Sequence, residues 1–362
     1  MKKDMRLVVL NSAKELGDKV NERLVKNGKS DSLKDYRVEL SETRFSNGEG
    51  KIRLVDSVRE KDVYILGDVG NYNCTYNMHG REHHVAPDEH FADIKRVIGA
   101  SANHARSLTL IMPLLYESRQ DKRTGRESLD CALSLRELEN LGINNLISFD
   151  VHNPAIANAI PTMAFENFYP TSTILENLIE NETMIELSNN LLVLAPDFGA
   201  MPRARYYAEM LGCDVGAFYK RRDYSRIVDG KNPIVEHSYL GPDMDNLNVI
   251  IVDDMIASGG SVLEVAREAK KRGAKRVFIC ATFALFTEGI EKIEKAYRDG
   301  MFDFIYSTNL SYVPDEIKNK SWYVDVDCSE MISRIICTLN KGKSLEPIHH
   351  ENLETYKRLR RK

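Results

Sequence analysis

Short, nearly continuous apolar runs punctuate the chain and constrain its fold more than any other feature. "RLVVL" begins at Arg6, "VYIL" at Val63, "LTLIM" at Leu108 and "NLISF" at Asn145. A second series has "LLVLA" at Leu191, "VIIVDD" at Val249, "RVFICATF" at Arg276, "FIYST" at Phe304 and "WYVDV" at Trp322. Runs that are apolar at every position suit strands buried on both faces. Helical patterns lie between them. In "RESLDCALSLRELENLG" the residues Leu129, Ala132, Leu133, Leu138 and Leu141 fall near a 3.6-residue period, and Gly142 is placed to stop the helix. Strands alternating with helices predict an α/β protein with mostly parallel sheets flanked by helices. At 362 residues the chain exceeds what one core usually serves. The two series predict two similar domains in tandem, with the junction near Pro161–Pro170: residues 1–160, residues 161–345, and a charged tail over 346–362.

Charge excludes some classes of partner. There are 50 basic and 54 acidic residues, a net charge of -4, and the two signs are well mixed. No global basic field points to nucleic acid. The start, "MKKDMRLVVLNSAKELGD", has no long apolar run, and no segment approaches a membrane span. The six cysteines are scattered with no Cys-x-x-Cys pair, as in reduced, cytoplasmic proteins.

The stretch "VIIVDDMIASGGSVLEVAREAKKRGAKRVFI" predicts a strand, a tight loop, a helix and a second strand. Val262, Val265, Ala266 and Ala269 form the helix's buried stripe and Gly273 ends it. The loop thus follows a strand and opens a helix, where open α/β sheets bind ligands. Unpaired amides at a helix start attract anions, phosphate above all. Gly259 and Gly260 let the backbone curl around such a group, and Ser258 and Ser261 add hydroxyl donors. Neither a Walker A sequence nor a G-x-G-x-x-G fingerprint is present. Asp253 and Asp254 would repel a bare phosphate but accept hydrogen bonds from sugar hydroxyls. A phosphorylated sugar satisfies both halves of the stretch; the bland alternative is a helix cap beside two solvated acids.

That stretch resembles the PRPP-binding motif of the phosphoribosyltransferase-type fold. Five others, in order, resemble motifs of the ribose-phosphate diphosphokinase (PRPP synthetase) family: "TRFSNGEGKIRL" from Thr43, "YESRQDKRTGRESL" from Tyr116, "ISFDVHNPAI" from Ile147, "LAPDFGAMPRAR" from Leu194 and "AFYKRRD" from Ala217. The resemblance implies transfer of the diphosphoryl group of MgATP to the C1 hydroxyl of ribose 5-phosphate, giving PRPP and AMP. It implies that Lys220 and Arg222 are catalytic cations on a loop that begins at a strand end. Asp253, Asp254, Ala257, Ser258, Gly259, Gly260 and Ser261 would bind ribose 5-phosphate. Arg119, Gln120, Asp121 and His152 would bind ATP, and His152 and Asp197 would lie near Mg²⁺. Phe45, Asn47 and Glu49 would meet the adenine held by a neighbouring subunit, which implies at least a dimer and, by family, a hexamer.

Some stretches depart from the family pattern. Ala257 and Ser258 stand where the family usually has Asp then Thr, and "NPAIANAIP" lacks glutamine. Residues 70–93, "GNYNCTYNMHGREHHVAPDEHFAD", read as an inserted polar surface loop. His79 and His83 are spaced as two ligands on a helix turn, but Gly80 and Pro87 argue against a continuous helix there, and no complete zinc set is evident. Two alternatives to an active synthetase are a catalytically silent regulatory homologue and a phosphoribosyltransferase that uses PRPP.

Overall fold

A computed structural model describes residues 4–28, 34–181, 190–222 and 234–350, with the side chains of 220–222 and 234–237 outside that description. The chain divides into two compact units. One comprises Met1–Pro170, Asn309–Val313 and Asp327–His349; the other comprises Thr171–Thr308, Pro314–Val326 and His350–Lys362.

In the first unit the strands are β1 Met5–Val9, β2 Leu40–Arg44, β3 Gly50–Leu54, β4 Asp62–Leu66, β5 Thr75–Met78, β6 Arg81–His84, β7 Ser107–Ile111, β8 Asn145–Phe149 and β9 Ala164–Phe168. Its helices include α1 Lys14–Asn27, α2 Pro87–Ser101 and α3 Asp130–Asn140. One sheet runs β1-β4-β7-β8-β9 and is parallel throughout. Every residue of β4 is buried, as a strand covered on both faces requires. The periodic stretch after Glu127 forms α3, and Gly142, at φ +90°, follows it. Leu133, expected on the buried stripe, is 59% exposed. The segment between the apolar series contains a further strand, β9, too polar in "AFENF" to stand out. His349 covers this sheet edge: its ring stacks on Phe168 at 4.1 Å and its Nε2 lies 2.8 Å from Glu166 Oε2.

Residues 70–93 form structure rather than an irregular loop. β5 and β6 pair as a hairpin that turns at His79 and Gly80, both at positive φ. Pro87 opens α2 instead of breaking a helix, because the first helical N–H has no acceptor to lose. His83 and His79 therefore sit on a strand and a turn, and buried His90 contacts the Asn71 carbonyl through Nε2 at 2.7 Å. Among the described residues, no three His, Cys, Asp or Glu side chains form a group that could hold a metal ion.

The second unit contains α4 Thr171–Asn181, β10 Leu191–Ala195, α5 Met201–Leu211, β11 Asp214–Arg222, β12 Ile234–Leu240, β13 Asn248–Ile256, α6 Gly260–Lys271, β14 Arg276–Ala284, α7 Glu291–Arg298, β15 Phe304–Thr308, α8 Asp315–Lys318 and β16 Tyr323–Val326. Its sheet runs β12-β11-β10-β13-β14-β15-β16 and is parallel except for β12, which pairs antiparallel with β11. The core includes Val193, Ile250, Val252, Phe278 and Tyr306 from the central strands.

The chain then re-enters the first unit. Helix α9, Ser329–Asn340, packs against α1, and α10, Glu346–His349, follows it. Buried Asp68, just after β4, accepts hydrogen bonds from the Ser311 hydroxyl at 3.0 Å and the Tyr312 N–H at 2.8 Å. That stitches residues 309–313 to the first unit. No described helix is long and apolar enough to cross a membrane. The part of the charged tail beyond His350 lies outside the described residues.

Candidate functional site

β13 lies inside the second unit's sheet, between β10 and β14. It does not stop at the two acids: pairing with β14 continues to Ile256 opposite Ala284, so Asp253 and Asp254 belong to the strand. Asp253 is half-buried and Asp254 is buried. The Asp254 N–H donates to Asp253 Oδ1 at 3.0 Å, and the Met255 N–H to Asp254 Oδ1 at 2.8 Å. Burial, then the neighbouring Asp254 carboxyl, pushes Asp253 well above the usual carboxylate range, while Arg203 pulls it back. Two carboxyls side by side disfavour a second negative charge.

After Ile256 the chain turns through Ala257 and Ser258 into Gly259, whose φ of +76° is left-handed and so favours glycine. Gly259 caps α6, and Gly260 and Ser261, both exposed, form its first turn. The predicted stripe of Val262, Val265, Ala266 and Ala269 is buried. The first turn carries no acidic residue and the last carries Lys270 and Lys271. The positive end of the helix dipole is therefore uncompensated, beside N–H groups with no intrahelical acceptor. A helix start of this kind, at the carboxyl end of a buried strand, is able to receive an anion.

β10 runs parallel beside β13, with Leu194 opposite Ile251. Exposed Asp197 follows it, and its Oδ1 accepts the Ala200 N–H at 3.1 Å, which fixes the turn into α5. Arg203, in the first turns of α5, is the cation that acts on Asp253. Sequence reading passed over it, although it stands in "APDFGAMPRAR" six residues beyond Asp197. On the other side of β10, β11 extends as a strand through Arg222. Lys220 and Arg222 thus lie within the strand's last three residues rather than beyond its end; their side chains are outside the described set.

In the first unit two groups form. Arg119, Gln120 and Asp121 follow β7, and His152 follows the adjacent parallel strand β8. Asn153 Nδ2 donates to Asp121 Oδ2 at 2.5 Å, tying the two loops together next to His152. Arg119, Gln120 and His152 are exposed. Separately, Phe45, Asn47 and Glu49 occupy the tip of the β2–β3 hairpin. There Asn47 Nδ2 donates to Glu49 Oε2 at 3.0 Å, the Glu49 N–H donates back to Asn47 Oδ1 at 3.1 Å, and Phe45 is 47% exposed. Gly48, at φ +92°, makes the turn.

Comparison with known proteins matches both halves. Residues 5–142 fit the family model for the N-terminal domain of ribose phosphate pyrophosphokinase, and residues 171–313 fit that for the phosphoribosyl transferase domain. A ribose-phosphate pyrophosphokinase from Mycoplasma pneumoniae is 28% identical over 324 residues, covering 88% of this chain and 90% of that protein. One from Vibrio parahaemolyticus is 29% identical over 347 residues, covering 94% and 98% respectively. The crystal structure of phosphoribosylpyrophosphate synthetase from Mycobacterium smegmatis shares the fold, with a TM-score of 0.76 at 21% identity over 94% of this chain and all of that one.

Proposed function

The chain belongs to the ribose-phosphate pyrophosphokinase family, and from that premise we propose that it transfers the diphosphoryl group of ATP to the C1 hydroxyl of ribose 5-phosphate, forming PRPP and AMP. The observation that carries this reading is the acid pair of β13 leading into an acid-free helix start. Asp253 and Asp254 accept the sugar's hydroxyls. The backbone from Ala257 to Ser261 receives its phosphate, with Ser258 and Ser261 as added donors. Arg203 screens the acid pair and holds it in place for the sugar.

The first unit supplies the donor. Arg119 suits a phosphate contact, because a guanidinium matches phosphate oxygens in pairs. Asp121 is already fastened to Asn153, so the Arg119–Gln120 segment is presented by a braced loop. Phe45 offers an aromatic face to a purine, with Asn47 and Glu49 beside it; we assign this hairpin to the ATP of a neighbouring subunit in a homo-oligomer. During transfer the C1 oxygen bonds to the β-phosphorus, the bond from that phosphorus to the oxygen bridging to the α-phosphorus breaks, and the hydroxyl proton is released. Charge redistributes over the phosphoryl oxygens, and Lys220 and Arg222 stabilise it.

The donor set fits a magnesium ion that travels with the nucleotide: Mg²⁺ keeps waters and phosphate oxygens and needs few protein carboxylates, and Asp197 is exposed at the strand ends. Asp197 would hold it in the second unit, with His152 the candidate ligand within the first, and when bound it would neutralise phosphate charge.

Incubation with ATP and ribose 5-phosphate, with nucleotides and sugar phosphates resolved by chromatography, tests the proposal. AMP and PRPP should form in equal amounts, with label from the β-phosphate of ATP in PRPP. ADP as the stoichiometric product would rule out diphosphoryl transfer. No product from a folded, substrate-binding protein would favour the silent homologue.

A further inference from the structure

Two large apolar side chains stand in solvent at the ligand end of the second unit's sheet. Phe198 follows Asp197 directly and Tyr219 precedes Lys220 directly. They are 50% and 42% exposed, and their rings touch, with centroids 5.5 Å apart and planes inclined at 38°. β10 and β11 are parallel neighbours, Ala195 opposite Ala217, so both rings lie past the end of β10. The backbone beneath them is hydrogen-bonded. The Ala200 N–H binds Asp197 Oδ1, the Met201 N–H donates to the Phe198 carbonyl at 3.3 Å, and Tyr219 is held within β11. Burial cannot be the main reason for the pair, since about half of each side chain remains in water.

The chemistry next to the rings does need an apolar surface. The β-phosphorus of ATP can be attacked by the sugar hydroxyl, giving PRPP and AMP, or by water, giving pyrophosphate and AMP. Both attacks break the same bond and release one proton. Cations that stabilise the redistributing charge assist both equally. Asp197, Lys220, Asp253 and Asp254 are all polar and cannot exclude water, whereas a fixed apolar wall can.

We propose that Phe198 and Tyr219 form a wall beside the transferring diphosphoryl group that keeps water from competing with the sugar's C1 hydroxyl. The proposal rests on the reading of the site as a diphosphoryl transferase. Both are positioning residues, and their effect lies in how the β-phosphorus partitions between acceptors.

The test compares the full-length protein with Phe198→Ala, Tyr219→Ala and Phe198→Leu. AMP, PRPP and pyrophosphate are measured separately at saturating substrates, and oligomer mass by light scattering. In the parent, AMP should be matched by PRPP. In the alanine variants the pyrophosphate-to-PRPP ratio should rise by about tenfold, equivalent to ~1.4 kcal/mol less discrimination against water. Phe198→Leu, which keeps apolar bulk, should return most of the way to the parent ratio. A parent that makes PRPP and alanine variants with an unchanged ratio would overturn the wall, whatever happens to their rate. An unchanged ratio with a lower oligomer mass would make the pair a subunit contact instead. A parent that makes no PRPP would remove the transferase reading itself.

Discussion

Asp253 and Asp254 set two carboxyls side by side near the end of β13. Burial and the adjacent carboxyl disfavour a second negative charge, and so raise Asp253. The raised Asp253 fixes the sign of a pH effect. The folded protein holds the Asp253 proton more tightly than the unfolded chain does. The stabilisation is therefore complete below the ordinary carboxylate range and is lost as pH rises through the raised value. Asp253→Asn removes the ionisation and with it the loss. In thermal melts without substrate, the variant should gain on the parent between acidic pH and about pH 8. The same variant should bind ribose 5-phosphate more weakly by roughly 1.5–3 kcal/mol, the usual worth of a hydrogen bond to a charged group, while ATP affinity changes little. A melting difference that is flat with pH would refute the raised Asp253, and unchanged sugar affinity would refute the role in binding. Arg203 was invisible to sequence reasoning for a related cause: a helix surface arginine acquires meaning only when folding sets it against a buried acid.

Local elements were legible where sequence and neighbours agree. The strand, loop and helix from Asn248 to Lys271 could be read because continuous apolar residues, paired glycines and a 3.6-residue stripe each specify one outcome. Reading failed where one pattern serves two geometries. Residues 70–93 read as a polar surface loop, yet β5 and β6 pair there around a turn at His79 and Gly80. Pro87 reads as a breaker but begins α2. The basic run after Tyr219 looks like loop, yet its backbone pairs with β12, Lys220 opposite His237 and Arg221 opposite Glu236. β12 is an edge strand outside the parallel core, a place where polar residues are tolerated. Under the proposed function, Lys220 would act from a backbone paired with β12. Lys220→Ala should lower kcat by about 10²–10³, the usual effect of removing one transition-state donor, with smaller changes in either KM. Arg222→Lys should restore only part of the loss of Arg222→Ala, because an ammonium cannot reproduce the planar fork. Steady-state kinetics on folded variants would decide it; a loss confined to KM would move these residues from transition-state to ground-state binding.

At the scale of the molecule, the least legible feature was the return of α9 to α1, because an amphipathic helix carries no address for a partner some 300 residues away. The two units divide the candidate residues: Phe45, Arg119 and His152 belong to one, Lys220 and the loop Ala257–Ser261 to the other. The hairpin that carries Phe45 has its Asn47 and Glu49 groups satisfied on each other and its aromatic face in solvent. That is the condition of a side chain held ready for something outside its own unit. If each complete site takes Phe45 from one subunit and Lys220 from another, two defects can compensate. Phe45→Ala protein lacks the hairpin contribution but has an intact Lys220; Lys220→Ala protein is the reverse. After dissociation, mixing and reassembly in equal amounts, about a quarter of the sites in randomly assembled symmetric oligomers would receive both intact residues. Activity should therefore rise well above that of either variant alone, while neither variant recovers when put through the same cycle by itself. Native mass spectrometry on differentially tagged subunits would verify that mixed oligomers have formed. Mixed oligomers without recovered activity would mean that Phe45 acts within its own subunit or not at all. Recovery would mean that the smallest active form holds at least two copies of the chain.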